Sequence, residues 1–355
     1  MKIIRNVKLS GELCDIALEN GKIIDIAPVS AKKYPDVPGV DFGGNKIYPG
    51  LIDIHSHGAI GIDTMDARLD ELAEFYLKSG TTTWYPTTLT MSTEDLLRAT
   101  GASYEGKGAN IPGFHLEGPY INIKRAGAQN PKYILKPSLE HFMSLGNIKL
   151  VTIAPDVEGA MEFIEKCPAV VCIGHTDCSY DVAMEAFSAG AKCLTHTFNA
   201  MPSIHHRNPG PIPAGADADA YAQLITDGVH VHPSVIRMLV KLYGTDRVVI
   251  ISDSLPATHL SDGDYISGGL AVTVKNGTAT LADGTIAGST TTLFECVKRA
   301  ISFGIKEEDA VKMASENPAR LMGLNKGKIE VGYDADFIIV DEKFNLVRAI
   351  ARGEI

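Results

Sequence analysis

Residues 50–58 read GLIDIHSHG. The run is apolar enough for a buried strand, and it ends on two histidines, His55 and His57. Side chains two apart on a strand share a face, so both imidazoles point the same way. Seven more runs of this kind follow: TTTWYPTTL (81–89), IPGFHLEGP (111–119), IKLVTIAPD (148–156), AVVCIGHTD (169–177), KCLTHTFNA (192–200), YAQLITDGVHV (221–231) and RVVIISDSL (247–255). Between most of them lie helical patterns such as LDELAEFYLKSG, VEGAMEFIEKC, SYDVAMEAFSAG and PSVIRMLVKLYG, several closed by glycine, a usual helix stop. Eight strands alternating with helices predict a parallel α/β fold, and eight is the number that closes a (β/α)8 TIM barrel. A doubly wound open sheet is the alternative. Neither a GxGxxG turn after the first strand nor a GxxxxGK[ST] phosphate loop supports it.

Outward from the barrel, both ends of the chain read as strands and turns. MKIIRNVKL, DIALENGKIIDIAPV and VDFGGNKIYPG precede it, with Asn20-Gly21 as a hairpin signal. KGKIEVGYDADFIIVDEKFNLVRAIARGEI follows it. The expectation is a small β-domain built from residues 1–49 and 324–355 around a barrel of residues 50–323. A further hairpin is expected at LAVTVKNGTATLADGTIAG, after the eighth strand, with turns at Asn276-Gly277 and Asp283-Gly284.

Composition narrows the function. In 355 residues, 45% are hydrophobic and the net charge is −10, which excludes disorder and argues against nucleic acid or anionic membranes as partners. No apolar run reaches the ~18–20 residues of a membrane span. The charged N-terminus lacks a signal-peptide core. Six cysteines without a CxxC pair suit free thiols in a reducing cytoplasm.

The strand ends carry the chemistry. His55 and His57 end the first run, Glu117 the third, His175 the fifth, His196 the sixth and Asp253 the eighth. The C-terminal rim is where a (β/α)8 barrel builds its active site. Val171, Ile173 and His175 form one alternating set, and Val249, Ile251 and Asp253 another. If these sets face inward, their apolar members fill the barrel and the last member reaches the rim. One strand-end histidine is more often structural than a ligand. Six such residues at one level point to a metal centre, and imidazole with carboxylate suits Zn, Fe, Mn or Co.

PGLIDIHSHG resembles the amidohydrolase superfamily, in which an HxH closes the first barrel strand. GFHLEGPY (113–120), GHTDCSY (174–180), THTFNAMP (195–202), HHRNPG (205–210), TDGVHV (226–231) and ISD (251–253) resemble, within it, the N-acetylglucosamine-6-phosphate deacetylase family. The resemblance spans nearly the whole chain and implies a small β-sandwich beside the barrel. It implies metal-dependent hydrolysis of the acetamide of N-acetylglucosamine 6-phosphate, releasing acetate. Glu117, His175 and His196 would hold the principal divalent ion, with Glu117 in place of the carboxylated lysine that many members use. His55 and His57 could hold a second ion, so one or two are expected. Asp253 would act as general base and then general acid, and His230 would bind the amide carbonyl. The backbone at Asn199 and Ala200 would bind the sugar phosphate, as would Arg207 from the other subunit of a homodimer.

Other readings stay open. The galactosamine epimer, or a cyclic amide or D-aminoacyl substrate, would use the same metal site. A non-catalytic assembly protein would be expected to lack ligands, and all six are present. His205 and His206 flank Arg207 and could touch phosphate, and Gln129 could line the site. His115 shares parity with Glu117 and reads as a supporting or core residue. His232 reads as a bystander, and His141 and His259 follow no pattern. The AGST run at 287–290 permits either a close backbone approach or a plain turn.

Overall fold

Eight parallel strands form one sheet in chain order: Leu51–Ser56, Thr81–Thr88, Phe114–Glu117, Ile148–Ile153, Val170–Ile173, Cys193–Leu194, Tyr221–Ile225 and Val248–Ile251. They are seen in a computed structural model that describes residues 1–355. The eighth strand meets the first where the Asp253 N–H donates to His55 O at 2.9 Å and the His57 N–H to Ser254 O at 2.7 Å. Helices follow the strands and ring the sheet, as the alternation of patterns predicts. Their starts are set by side-chain caps: Ser92, Ser179 and Thr292 each accept a backbone N–H of the first turn, and Thr292 forms a capping box with Glu295.

The barrel interior has two levels. The lower is apolar: Ile52, Ile54, Tyr85, Leu150, Cys172, Cys193, Ile225, Val249 and Ile251 pack together, with Ala319 and Leu321 of the helix Glu316–Met322 among them. The upper is polar and carries the strand-end residues. Val249 and Ile251 face inward as expected, but Val171 and Ile173 do not. They pack outward with the helices, and Cys172 faces in. Gly174 continues the inward row of the fifth strand, where a Cβ would lie 2.6 Å from Thr195 Cβ and 2.9 Å from Thr152 Cγ2. A glycine is what that crossing allows.

The two ends of the chain do pair. Lys46–Pro49 runs antiparallel to Phe337–Val340 and links to Lys2–Leu9 through Lys8 and Lys46. The sheet takes seven strands from both termini and encloses Ile4, Val7, Ile16, Ile47, Phe337 and Ile339. Asn20 and Gly21 both adopt positive φ, 50° and 72°, as a two-residue hairpin turn between antiparallel strands requires. After the eighth strand, Gly263–Ser267, Leu270–Lys275 and Thr278–Thr280 form a separate antiparallel sheet that overhangs the barrel mouth. No helix is long and apolar enough to cross a membrane.

Candidate active site

Each strand end contributes its residue to one cluster. Ile52 and Ile54 belong to the inward apolar row, so unbroken alternation would carry Ser56 inward. A register irregularity between Asp53 and Ser56 instead turns His55 and His57 to the interior. The ring nitrogens of these two histidines, both Nε2, lie 3.3 Å apart. Glu117, 1% exposed at the end of the third strand, faces them with Oε1 3.3 Å from His55 Nε2 and Oε2 3.1 Å from His57 Nε2. The same carboxylate faces a second pair: Oε1 is 3.3 Å from His175 Nε2 and 3.0 Å from His196 Nε2. Those two nitrogens are 3.1 Å apart. Asp253 closes the group, with Oδ1 3.4 Å from His55 Nε2 and 3.3 Å from His57 Nε2.

Three of the histidines have fixed tautomers. His55 Nδ1 donates to Gln223 Oε1 (2.9 Å), His57 Nδ1 to Thr87 O (3.2 Å) and His175 Nδ1 to Arg125 O (2.9 Å). Each acceptor demands a proton at Nδ1, which in the neutral ring leaves a lone pair at Nε2. The cluster therefore turns imidazole lone pairs toward one another and toward a buried carboxylate. That arrangement is repulsive unless positive charge, as bound metal or as protons on the rings, sits among the donors. The donor set fits divalent metal, as two triads, His55–His57–Glu117 and Glu117–His175–His196, that share Glu117. His196 Nδ1 is buried without a hydrogen-bond partner.

The electrostatics follow from this crowding. Burial opposes charge on Glu117, yet His55, His175 and His196, when they carry a proton at Nε2, outweigh it and hold the carboxyl well below its usual range. Burial likewise opposes charge on Asp253, and His55 and His57 more than offset it, so Asp253 is an ionised acceptor.

These residues open into a cavity of about 390 Å³. His57, Glu117, His175, His196, Asn199, Ala200, His230 and Asp253 line it, as the sequence reading predicts for one site. Gln129 lines it too, and its amide is oriented by its neighbours. Its Oε1 accepts the Thr90 N–H at 2.7 Å, so its Nε2 donates to Glu117 Oε2 at 2.6 Å. Ala287 and Gly288 show that the AGST run is a close approach, because the Ser289 N–H donates to Asp253 O at 2.7 Å. The Asn199 N–H is spent on His196 O (2.9 Å), whereas the Ala200 amide is left free of such a bond.

Arg207, His205 and His206 are exposed and lie outside the cavity of their own chain, with Arg207 Nη1 2.7 Å from His206 Nε2. His115 supports the site from below, its Nε2 2.8 Å from Thr152 Oγ1 and its ring edge-on to His55. His232 caps the helix Pro233–Tyr243. Sequence reasoning missed Gln223, Lys124, Arg125 and Asp227. Gln223 was detectable as a polar residue inside the apolar run YAQLI. Lys124 and Arg125 sit in the single 3-10 turn Ile123–Arg125, too short to show a periodicity, and Arg125 binds Asp177 through Nε (2.9 Å) and Nη2 (2.7 Å).

Comparison with known proteins agrees with this geometry. A model of the Amidohydrolase family matches residues 47–355. The chain is 37% identical to an N-acetylglucosamine-6-phosphate deacetylase of Bacillus subtilis (strain 168), over 96% of this chain and 92% of that one. It is 31% identical to an N-acetylgalactosamine-6-phosphate deacetylase of Escherichia coli O157:H7, over 86% of each. A solved structure from Mycobacterium smegmatis, a mutant N-acetyl-D-glucosamine-6-phosphate deacetylase in complex with N-acetyl-D-glucosamine-6-phosphate, superposes with a TM-score of 0.90 at 31% identity. That superposition covers 99% of this chain and 98% of the other.

Proposed function

The chain belongs to the amidohydrolase family, and from that premise we propose that it hydrolyses the acetamide of N-acetylglucosamine 6-phosphate to glucosamine 6-phosphate and acetate. The observation that carries the reading is the buried Glu117 carboxylate facing two histidine pairs, with Asp253 and His230 on the same cavity wall. Glu117, His175 and His196 would hold the principal ion, and His55 and His57 a second beside Glu117. A divalent ion held there makes hydroxide available near neutral pH and polarises a carbonyl.

The chain's own residues do the rest. Asp253, ionised and at the mouth of the His55–His57 pair, accepts the proton of the attacking water. It then returns that proton to the departing nitrogen, which would otherwise leave as a poor anionic group. His230 binds the amide carbonyl and stabilises the oxyanion as it forms. The free Ala200 amide, Asn199 and Lys124 on the wall take the sugar phosphate. Arg207, which lies outside its own cavity, supplies the strong charge-assisted contact from the second subunit of a homodimer. Six unpaired cysteines suit a cytoplasmic setting.

The test is acetate release from N-acetylglucosamine 6-phosphate, with the phosphate-free sugar in parallel. Release from the phosphorylated sugar alone, abolished by chelator and restored by metal, is the expected result. The relative named for the galactosamine epimer supports a second reading, so the epimer is run beside it. Release only from the epimer would overturn the first reading in favour of the second.

A further inference from the structure

His230 does not stand alone in its loop. The Asp227 carboxylate, 6% exposed, accepts three hydrogen bonds from the turn that carries the histidine. Oδ1 takes the N–H groups of Val229 (2.8 Å) and His230 (2.9 Å), and Oδ2 takes the His230 ring at Nδ1 (2.7 Å). The loop is tied in turn to the helix Leu293–Ser302, where Arg299 Nη1 donates to Asp227 O (2.5 Å) and Thr226 Oγ1 to Cys296 O (2.7 Å). Every hydrogen bond that the Asp227 side chain accepts comes from His230 or its turn.

The proton positions follow. An ionised carboxylate only accepts, so Nδ1 of His230 carries the hydrogen. A neutral ring in that tautomer presents a bare lone pair at Nε2, which repels a carbonyl oxygen. Nε2 donates to a carbonyl only if the ring is protonated at both nitrogens. We propose that Asp227 is the positioning residue of the reaction: it holds His230 as a doubly protonated ring that gives the substrate carbonyl a charged donor. The inference rests on the reading of His230 as the carbonyl contact. Burial disfavours charge on His230, while Asp227 and then Asp253 favour it and prevail. The charged groups around the ring are these two carboxylates, and beyond Asp227 the Arg299 guanidinium, with the Cys296 thiol held neutral on the same helix.

The geometry makes Asp227→Asn an informative variant. Oδ1 must still accept two backbone N–H groups, so the new Nδ2 faces the ring. It donates to Nδ1 and forces the neutral tautomer with its hydrogen on Nε2. The donor to the carbonyl survives, and its charge is lost. The expected result is a KM within a few-fold of wild type. kcat should fall at least tenfold, but by less than the ~10²–10³ of losing an oxyanion donor outright. The alkaline limb of the kcat profile, where the wild-type ring loses its charge, should be lost. Asp227→Ala should be worse in both kcat and yield, because it also orphans two backbone donors. A second readout needs no substrate: ¹⁵N resonances of the His230 ring in the metal-loaded protein, assigned against His230→Asn. They should show an imidazolium at neutral pH in the wild type and a neutral ring in Asp227→Asn. Wild-type kcat and pH dependence in Asp227→Asn, or a neutral His230 ring in the wild type, would overturn the proposal. An imidazolium in a wild type that releases no acetate would keep the pair and overturn the substrate assignment instead.

Discussion

His175, His196 and Asp253 have φ values of 47°, 26° and 48°, in the left-handed region that residues with a Cβ seldom occupy. All three stand where a barrel strand ends and its loop begins. At His175 and His196 backbone held in this way turns the side chain off the strand's alternation and into the mouth of the barrel, whereas Asp253 keeps the inward parity of Val249 and Ile251. This is why the strand-end residues were legible, and the alternation of the eighth strand with them, while that of the fifth was not: the apolar run marks the strand, the ligand-type residue marks its end, and nothing in the residue names announces a left-handed turn. Val171 and Ile173 show the consequence, since they face outward while His175 two positions on reaches the site. The supporting residues were harder to see because each acts through one hydrogen bond. Gln223 is the clearest case. Replacing it with leucine removes the acceptor of the His55 Nδ1–H and should weaken metal retention by roughly 10–100-fold. Competition with a chromogenic chelator measures this, and unchanged retention would remove Gln223 as the residue that fixes His55. Asp253→Asn argues the opposite case. It should lose nearly all kcat while metal analysis shows wild-type content, and appreciable turnover would strip Asp253 of the proton-transfer role.

Among the elements, the antiparallel insertion after the eighth strand has the most direct bearing on the cavity. Ser267, Leu270 and Val272 from its strands line the site, together with Leu281 and Ile286 beyond them. The hairpin between Leu270–Lys275 and Thr278–Thr280 was legible because Asn276 and Gly277 take the paired positive φ, 53° and 71°, of such a turn. Its docking was not, because the partner is 205 residues away in sequence. Asp63, 7% exposed, accepts the Gly268 N–H at 3.0 Å and the Met65 N–H at 2.9 Å. Gly268 itself packs so closely on Leu89 that a Cβ would lie 2.6 Å from Leu89 Cδ1. Asp63→Ala leaves both buried donors without an acceptor, at about 1–3 kcal/mol each. The loss should be local: faster amide exchange in residues 263–280, a raised KM, and exchange in the barrel strands unchanged. Exchange at 263–280 equal to wild type would show that the Leu89 packing alone seats the insertion.

Across the whole molecule, the terminal sheet and the barrel meet at a buried charge cluster. Lys326, 7% exposed, lies 2.9 Å from Asp334 Oδ2 and 2.5 Å from Asp336 Oδ2. Lys22 of the strand Lys22–Pro28 binds the other oxygen of Asp334. Asp336 Oδ1 accepts the Arg352 N–H at 2.7 Å, and Asp336 O accepts the N–H of Gly50, where the first barrel strand begins, at 2.9 Å. The two β-rich ends were legible in their patterns, but this junction was not, because its charges look like ordinary surface residues until the ends are brought together. Lys326→Ala leaves the buried Asp336 carboxylate without its cation and the part-exposed Asp334 with Lys22 alone, and losing one partner of a buried pair costs about 3–5 kcal/mol. The pH dependence follows from the signs. Burial raises the Asp334 carboxyl, but Lys22 and Lys326 outweigh it and hold it low. A depressed carboxyl adds stability that is present above its unfolded value of about 3.9 and is lost as pH falls through its folded value. Without Lys326 that depression weakens, so the variant gains less from the ionised form. The gap between wild type and Lys326→Ala should therefore be full at neutral pH and close as the solution is acidified below about pH 4. Denaturation midpoints of the two proteins at neutral and acid pH decide the point. A gap of constant size would mean that the lysine contributes through the packing of its stem and not through its charge.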